Sequence, residues 1–93
     1  MKNKKIDLIR KKLDKLDLKM LTLIKKRSIL VNKILKEKKY KNQIIDNKRI
    51  KIILRKISKE SKKINLDTKI TNSIWKAMIK SFINYEFRNF KKK

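Results

Sequence analysis

The chain contains no cysteine, histidine, proline or glycine. Without Cys and His there are no disulfides, no thiolate or imidazole catalysis and none of the usual zinc sites. Without Gly and Pro there are no Gly-rich phosphate loops, tight primed hairpins or proline turns, because those geometries depend on those residues. Acidic residues are scarce, at 8 Asp+Glu against 31 Lys+Arg, and aromatics make up 6%. Long apolar runs are missing too, so no segment is expected to cross a membrane. The first residues lead into a charged amphipathic pattern instead of a signal-peptide core. A cytoplasmic protein is the expectation.

What remains is helix-forming. Ninety-three residues allow one small domain, read here as residues 1–93. A 40% hydrophobic content rich in Ile and Leu supplies an apolar seam but little private core, which points to a partner chain. The net charge of +23 has two readings: a nucleic-acid or anionic-membrane footprint, or a solvated lysine surface. The second is preferred, because the lysines are spread along the whole chain and Ala77 is the only alanine, a bias that A/T-rich codons produce. The arginines Arg10, Arg27, Arg49, Arg55 and Arg88 are therefore the more informative cations.

The apolar period predicts three helices, over about 5–39, 47–64 and 68–90, with Lys91 to Lys93 as tail. In the first, Ile6, Ile9, Leu13, Leu16, Met20, Leu23, Leu30 and Ile34 step by three and four, and Arg27 stands where the period calls for an apolar residue. Lys38 continues that line. Such a helix would be roughly 50 Å long, against a radius of gyration near ~12 Å for a compact chain of this size. A second chain is the simplest cover for its stripe.

Lys41 to Ile45 read as a loop, and Asp46 and Asp67 as N-caps of the second and third helices, with Leu66 as a staple. Ile50, Ile53, Leu54, Ile57 and Ile64 form the second apolar side. Lys62 and Lys63 before Asn65 suit a helix C-terminus. The third apolar side is Ile70, Ile74, Trp75, Met78, Ile79, Phe82 and Ile83.

Several charged residues fall where apolar ones belong. Arg27 in the seam must meet a carboxylate of the protein or an anionic ligand. Arg10, about 26 Å away along the same helix, cannot share a site with Arg27 of its own chain but could reach a partner's. Asp46 and Arg49, one turn apart, could both face a cavity, although capping alone also accounts for Asp46. Glu86 lies on the line Trp75, Ile79, Phe82, Glu86. It either pairs with a basic group, keeps its proton through desolvation, or sits at a frayed helix end facing water.

The order Ile9-Arg10-Lys11-Lys12-Leu13-Asp14-Lys15-Leu16-Asp17, then Ile24-Lys25-Lys26-Arg27, Lys38 and Ile45-Asp46-Asn47-Lys48-Arg49, resembles the all-helical chorismate mutase family, the AroQ class. The resemblance runs from about Ile6 to Glu86. It implies an all-α fold, an intertwined homodimer of three-helix chains, and conversion of chorismate to prephenate in phenylalanine and tyrosine biosynthesis without cofactor or metal. It further implies that Arg27 and, from the other subunit, Arg10 grip the two substrate carboxylates. Lys38 would reach the ether oxygen, Asp46 would lie near the substrate hydroxyl, and Arg49 would organise the carboxylate end. Glu86 would donate to the ether oxygen, for which it must carry a proton, so activity is expected to fall as rising pH removes it.

Two positions depart from the family pattern. Ile50 stands where Glu is usual, and Phe82 where a small hydroxyl residue is usual, with Ser81 adjacent. These departures keep a second reading open, a non-catalytic dimer of the same fold. A basic nucleic-acid-binding helical protein, supported by charge alone, is a third.

Overall fold

The computed structural model describes residues 3–92 and is all-α, with three helices: α1 (Lys4–Glu37), α2 (Asn47–Lys63) and α3 (Thr68–Asn89). Met1, Lys2 and the tail residue Lys93 lie outside the described residues. The chain divides into two compact units, Met1–Val31 and Asn32–Lys93.

The first unit is helical from Lys4 onward. Asn3 starts it, its Oδ1 accepting from the backbone N–H of Lys5 at 3.1 Å and of Ile6 at 3.3 Å. That satisfies two of the amides a helix start leaves without partners. Along this stretch Ile6, Ile9, Leu13, Leu16, Met20 and Leu23 are all exposed. Their spacing makes a continuous apolar stripe that the single chain leaves uncovered.

The second unit is built on a helical hairpin of α2 and α3 together with the end of α1. Asp46 caps α2, its Oδ1 accepting from the Arg49 N–H at 3.0 Å, and Asp67 caps α3, accepting from the Lys69 N–H at 2.8 Å. Both expected caps are present. α2 ends in a Schellman turn: the Leu66 N–H donates to the Ser61 carbonyl at 2.9 Å and the Asn65 N–H to that of Lys62 at 3.2 Å. Asn65 takes φ 56°, the left-handed conformation. In a chain without glycine, Asn is the natural occupant, because its short polar side chain tolerates that region better than other residues do.

The core of this unit is small. Leu35 and Ile44 are buried, and the α2–α3 contact contains a buried polar link in which Ser61 Oγ lies 2.9 Å from Thr71 Oγ1 and 2.6 Å from the Ile57 carbonyl. Ile50, Ile53, Leu54 and Ile57 of α2, and Trp75, Met78, Ile79, Phe82 and Ile83 of α3, are half-buried. Ile64, Ile70 and Ile74, expected on the apolar sides, are exposed. Ile64 lies at the Schellman turn, where the helix period no longer sets its direction. The expected Leu66 staple is absent: Leu66 is exposed, and Thr71, one turn into α3, is not an apolar partner.

α1 stops at Glu37, two residues short of the expected Lys39, and the expected loop contains a 3-10 turn at Lys41–Gln43. A side chain ends the helix. In a continued α1 the Lys39 N–H would bond to the Leu35 carbonyl. It donates instead to Gln43 Oε1 at 2.7 Å, and the Leu35 carbonyl accepts the Lys38 N–H at 3.1 Å.

Candidate active site

In the second unit Lys38 and Glu86 bring two opposite charges together largely out of water. Lys38 is the first residue beyond α1 and Glu86 lies in the last turn of α3. The side chain of Lys38 is 18% exposed and that of Glu86 8%, and Lys38 Nζ donates to Glu86 Oε1 at 2.8 Å. Of the three readings of Glu86, pairing with a basic group is therefore the one realised, and the water-facing reading is overturned. The line Trp75, Ile79, Phe82, Glu86 is half-buried to buried throughout, so this carboxylate closes an otherwise apolar wall.

Such a pair is stable out of water only because each charge satisfies the other. A second link ties the end of α1 to the same turn of α3: Tyr85 Oη donates to Asn32 Oδ1 at 3.4 Å. The pattern of the sequence does not single out this contact, since both residues are ordinary polar positions on their own helices.

Asp46 and Arg49 stand at the start of α2 and both are exposed. The Asp46 carboxylate is used as a cap for the Arg49 amide, and among the described residues no ion pair engages it or the Arg49 guanidinium. Ile50 follows, half-buried, in the place where the family pattern has a carboxylate.

In the first unit Arg10 is exposed and Arg27 half-buried. Seventeen residues of one helix separate them, about 26 Å at the usual rise, so one small molecule cannot touch both arginines of one chain.

A helical chain with a Lys–Glu pair on an otherwise apolar helix line, and with Arg27 in the apolar seam of α1, is consistent with the family pattern. The family model for chorismate mutase type II matches residues 9–87. The chain belongs to that family. Comparison with curated proteins and with solved structures found no match. Chorismate mutase is an isomerase, and the matched span includes all six candidate residues: Arg10, Arg27, Lys38, Asp46, Arg49 and Glu86. No helix among the described residues is long and apolar enough to cross a membrane.

The residue that sequence reasoning missed is Gln43. Besides the Lys39 N–H, its Oε1 accepts the Tyr40 N–H at 2.9 Å, and its own N–H donates to the Tyr40 carbonyl at 3.1 Å. A glutamine in a predicted loop carries no periodic or motif signal. The one available hint was the absence of Gly and Pro, which leaves the turn to be held by side chains.

Proposed function

We propose that the chain works as a single chorismate mutase domain that converts chorismate to prephenate in phenylalanine and tyrosine biosynthesis. The observation that carries the reading is the 2.8 Å Lys38–Glu86 pair on an apolar wall, within a chain of this family. The reaction is an intramolecular [3,3] rearrangement: the ether C–O bond breaks as a C–C bond forms, and no proton or electron is exchanged with the protein. Catalysis then consists of holding the substrate in its compact conformer and stabilising the charge that grows on the ether oxygen.

In this mechanism Arg27, and Arg10 of a second subunit, bind the two carboxylates, for which guanidinium offers bidentate geometry. Lys38 donates to the ether oxygen. Glu86 donates to the same oxygen through a carboxyl proton, so substrate must part the resting Lys38–Glu86 pair. Asp46 lies near the substrate hydroxyl and Arg49 organises the carboxylate end. Ile50 removes one polar contact to the hydroxyl.

A homodimer is part of the proposal. The exposed stripe Ile6, Ile9, Leu13, Leu16, Met20, Leu23 supports it, because a row of apolar side chains of that length on a single helix is the signature of a partner helix. The deciding experiment follows chorismate loss and prephenate formation by the purified chain, with Arg27→Ala as control. Turnover that disappears in the variant is the expected result. A folded dimer without turnover would move the assignment to a non-catalytic member of the family, the reading that Ile50 and Phe82 favour.

A further inference from the structure

Lys38 must place a flexible ammonium on one oxygen atom, yet it stands just outside α1, where helix geometry no longer fixes its backbone. Its surroundings supply the missing constraint. On its N-terminal side the Lys38 N–H is held by the carbonyl of Leu35, a residue 5% exposed. On its C-terminal side Gln43 Oε1 accepts the next two amides, Lys39 at 2.7 Å and Tyr40 at 2.9 Å. Gln43 is in turn followed by Ile44, 3% exposed, which anchors that end of the turn in the core. One carboxamide oxygen thus does in this turn what a proline or glycine would do by backbone restriction, in a chain that has neither.

We propose that Gln43 is a positioning residue for the rearrangement: by accepting the Lys39 and Tyr40 amides it fixes the direction in which Lys38 leaves α1, and so aims Nζ at Glu86 and the ether oxygen. The inference rests on the chorismate mutase reading above. Gln43 does not touch substrate; it acts through Lys38. Because Lys38 works on charge that develops only in the transition state, loosening it lowers kcat more than it raises KM.

The test compares Gln43→Met, which keeps length and bulk but removes the acceptor, with Gln43→Glu, which keeps an oxygen for both amides. In the full chain, Gln43→Met is expected to lower kcat by about tenfold or more, with KM changed by less than about twofold. Gln43→Glu is expected to stay within about threefold of the parent kcat. In the same proteins, hydrogen exchange of the Lys39 and Tyr40 amides is expected to speed up by about tenfold in Gln43→Met and to remain slow in Gln43→Glu.

A Gln43→Met enzyme with parental kcat overturns the proposal. So does a Gln43→Glu enzyme as impaired as Gln43→Met, or unchanged exchange at both amides. If the parent chain itself does not turn over chorismate, the exchange measurement still reads the turn. Faster exchange in Gln43→Met would then leave the clamp standing and overturn the catalytic reading alone.

Discussion

Glu86 is the residue on which structure and chemistry meet most directly. Its side chain is 8% exposed and its carboxylate is satisfied by Lys38 Nζ at 2.8 Å. Removing one partner leaves a charge with no compensation, which is more costly than losing the pair as a whole. Lys38→Met is accordingly expected to destabilise the chain by about 2–4 kcal/mol, somewhat below the range for fully buried pairs because Lys38 sits at the edge of the core. Glu86→Gln is milder, since an amide oxygen still accepts from Lys38. Urea unfolding of the two variants tests the order; losses below about 0.5 kcal/mol in both would show that the pair contributes little in this place. The catalytic consequence is separate. A glutamine amide can still donate to the ether oxygen of the proposed mechanism, whereas leucine cannot. Glu86→Gln is expected to retain turnover and Glu86→Leu to lose about a hundredfold in kcat, and equal kcat in the two variants would remove Glu86 from the donor role.

At the scale of elements, the same side chain can serve folding and chemistry, and a conservative substitution separates them. Asp46 caps α2 through the Arg49 amide, a function that serine also performs. Asp46→Ser should keep stability within about 0.5 kcal/mol of the parent, while Asp46→Ala loses about 1 kcal/mol. If Asp46→Ser melts like the parent but has a raised KM, the carboxylate contacts substrate as well; unchanged kinetics would leave it a cap alone. Asn65 tests the other end of α2. With φ at 56°, alanine there is expected to lose about 1 kcal/mol in urea unfolding and glycine to lose little or nothing. Caps of this kind were legible in the sequence because the signal is local: an Asp directly before a helical period, or Lys62 and Lys63 before Asn65. The three helices were legible for the same reason, each carrying its own period. The end of α1 was not. Lys38 continues the stripe of α1 in sequence, and only the competing acceptor on Gln43, five residues on, takes the Lys39 amide out of the helical ladder. Glu86 could be placed on a buried line by counting, but its partner, 48 residues away in the chain, could not be chosen among 31 basic residues by any local rule.

For the whole molecule the two dominant features act in opposite directions. The apolar stripe of α1 favours association, and a charge of +23 on each chain opposes it. Leu16→Asp alters a side chain that is 53% exposed in the single chain. In a monomer it should be nearly neutral; in the proposed dimer it places a charge in a desolvated seam. The expected outcome is a shift in sedimentation equilibrium from twice the chain mass of 11.3 kDa toward that mass, together with loss of turnover, because Arg10 no longer reaches the site of a second subunit. Salt separates the two electrostatic effects by sign. As the screening length shrinks from about 30 Å at 0.01 M to about 8 Å at 0.15 M, repulsion between two +23 chains weakens and the dimer tightens. The attraction of a dianionic substrate to the same charge weakens as well, so kcat/KM measured on fully dimeric protein falls. Dissociation constant and kcat/KM should therefore decrease together as salt rises. A dimer that loosens with salt would mean that ion pairs, not the apolar stripe, hold the chains together.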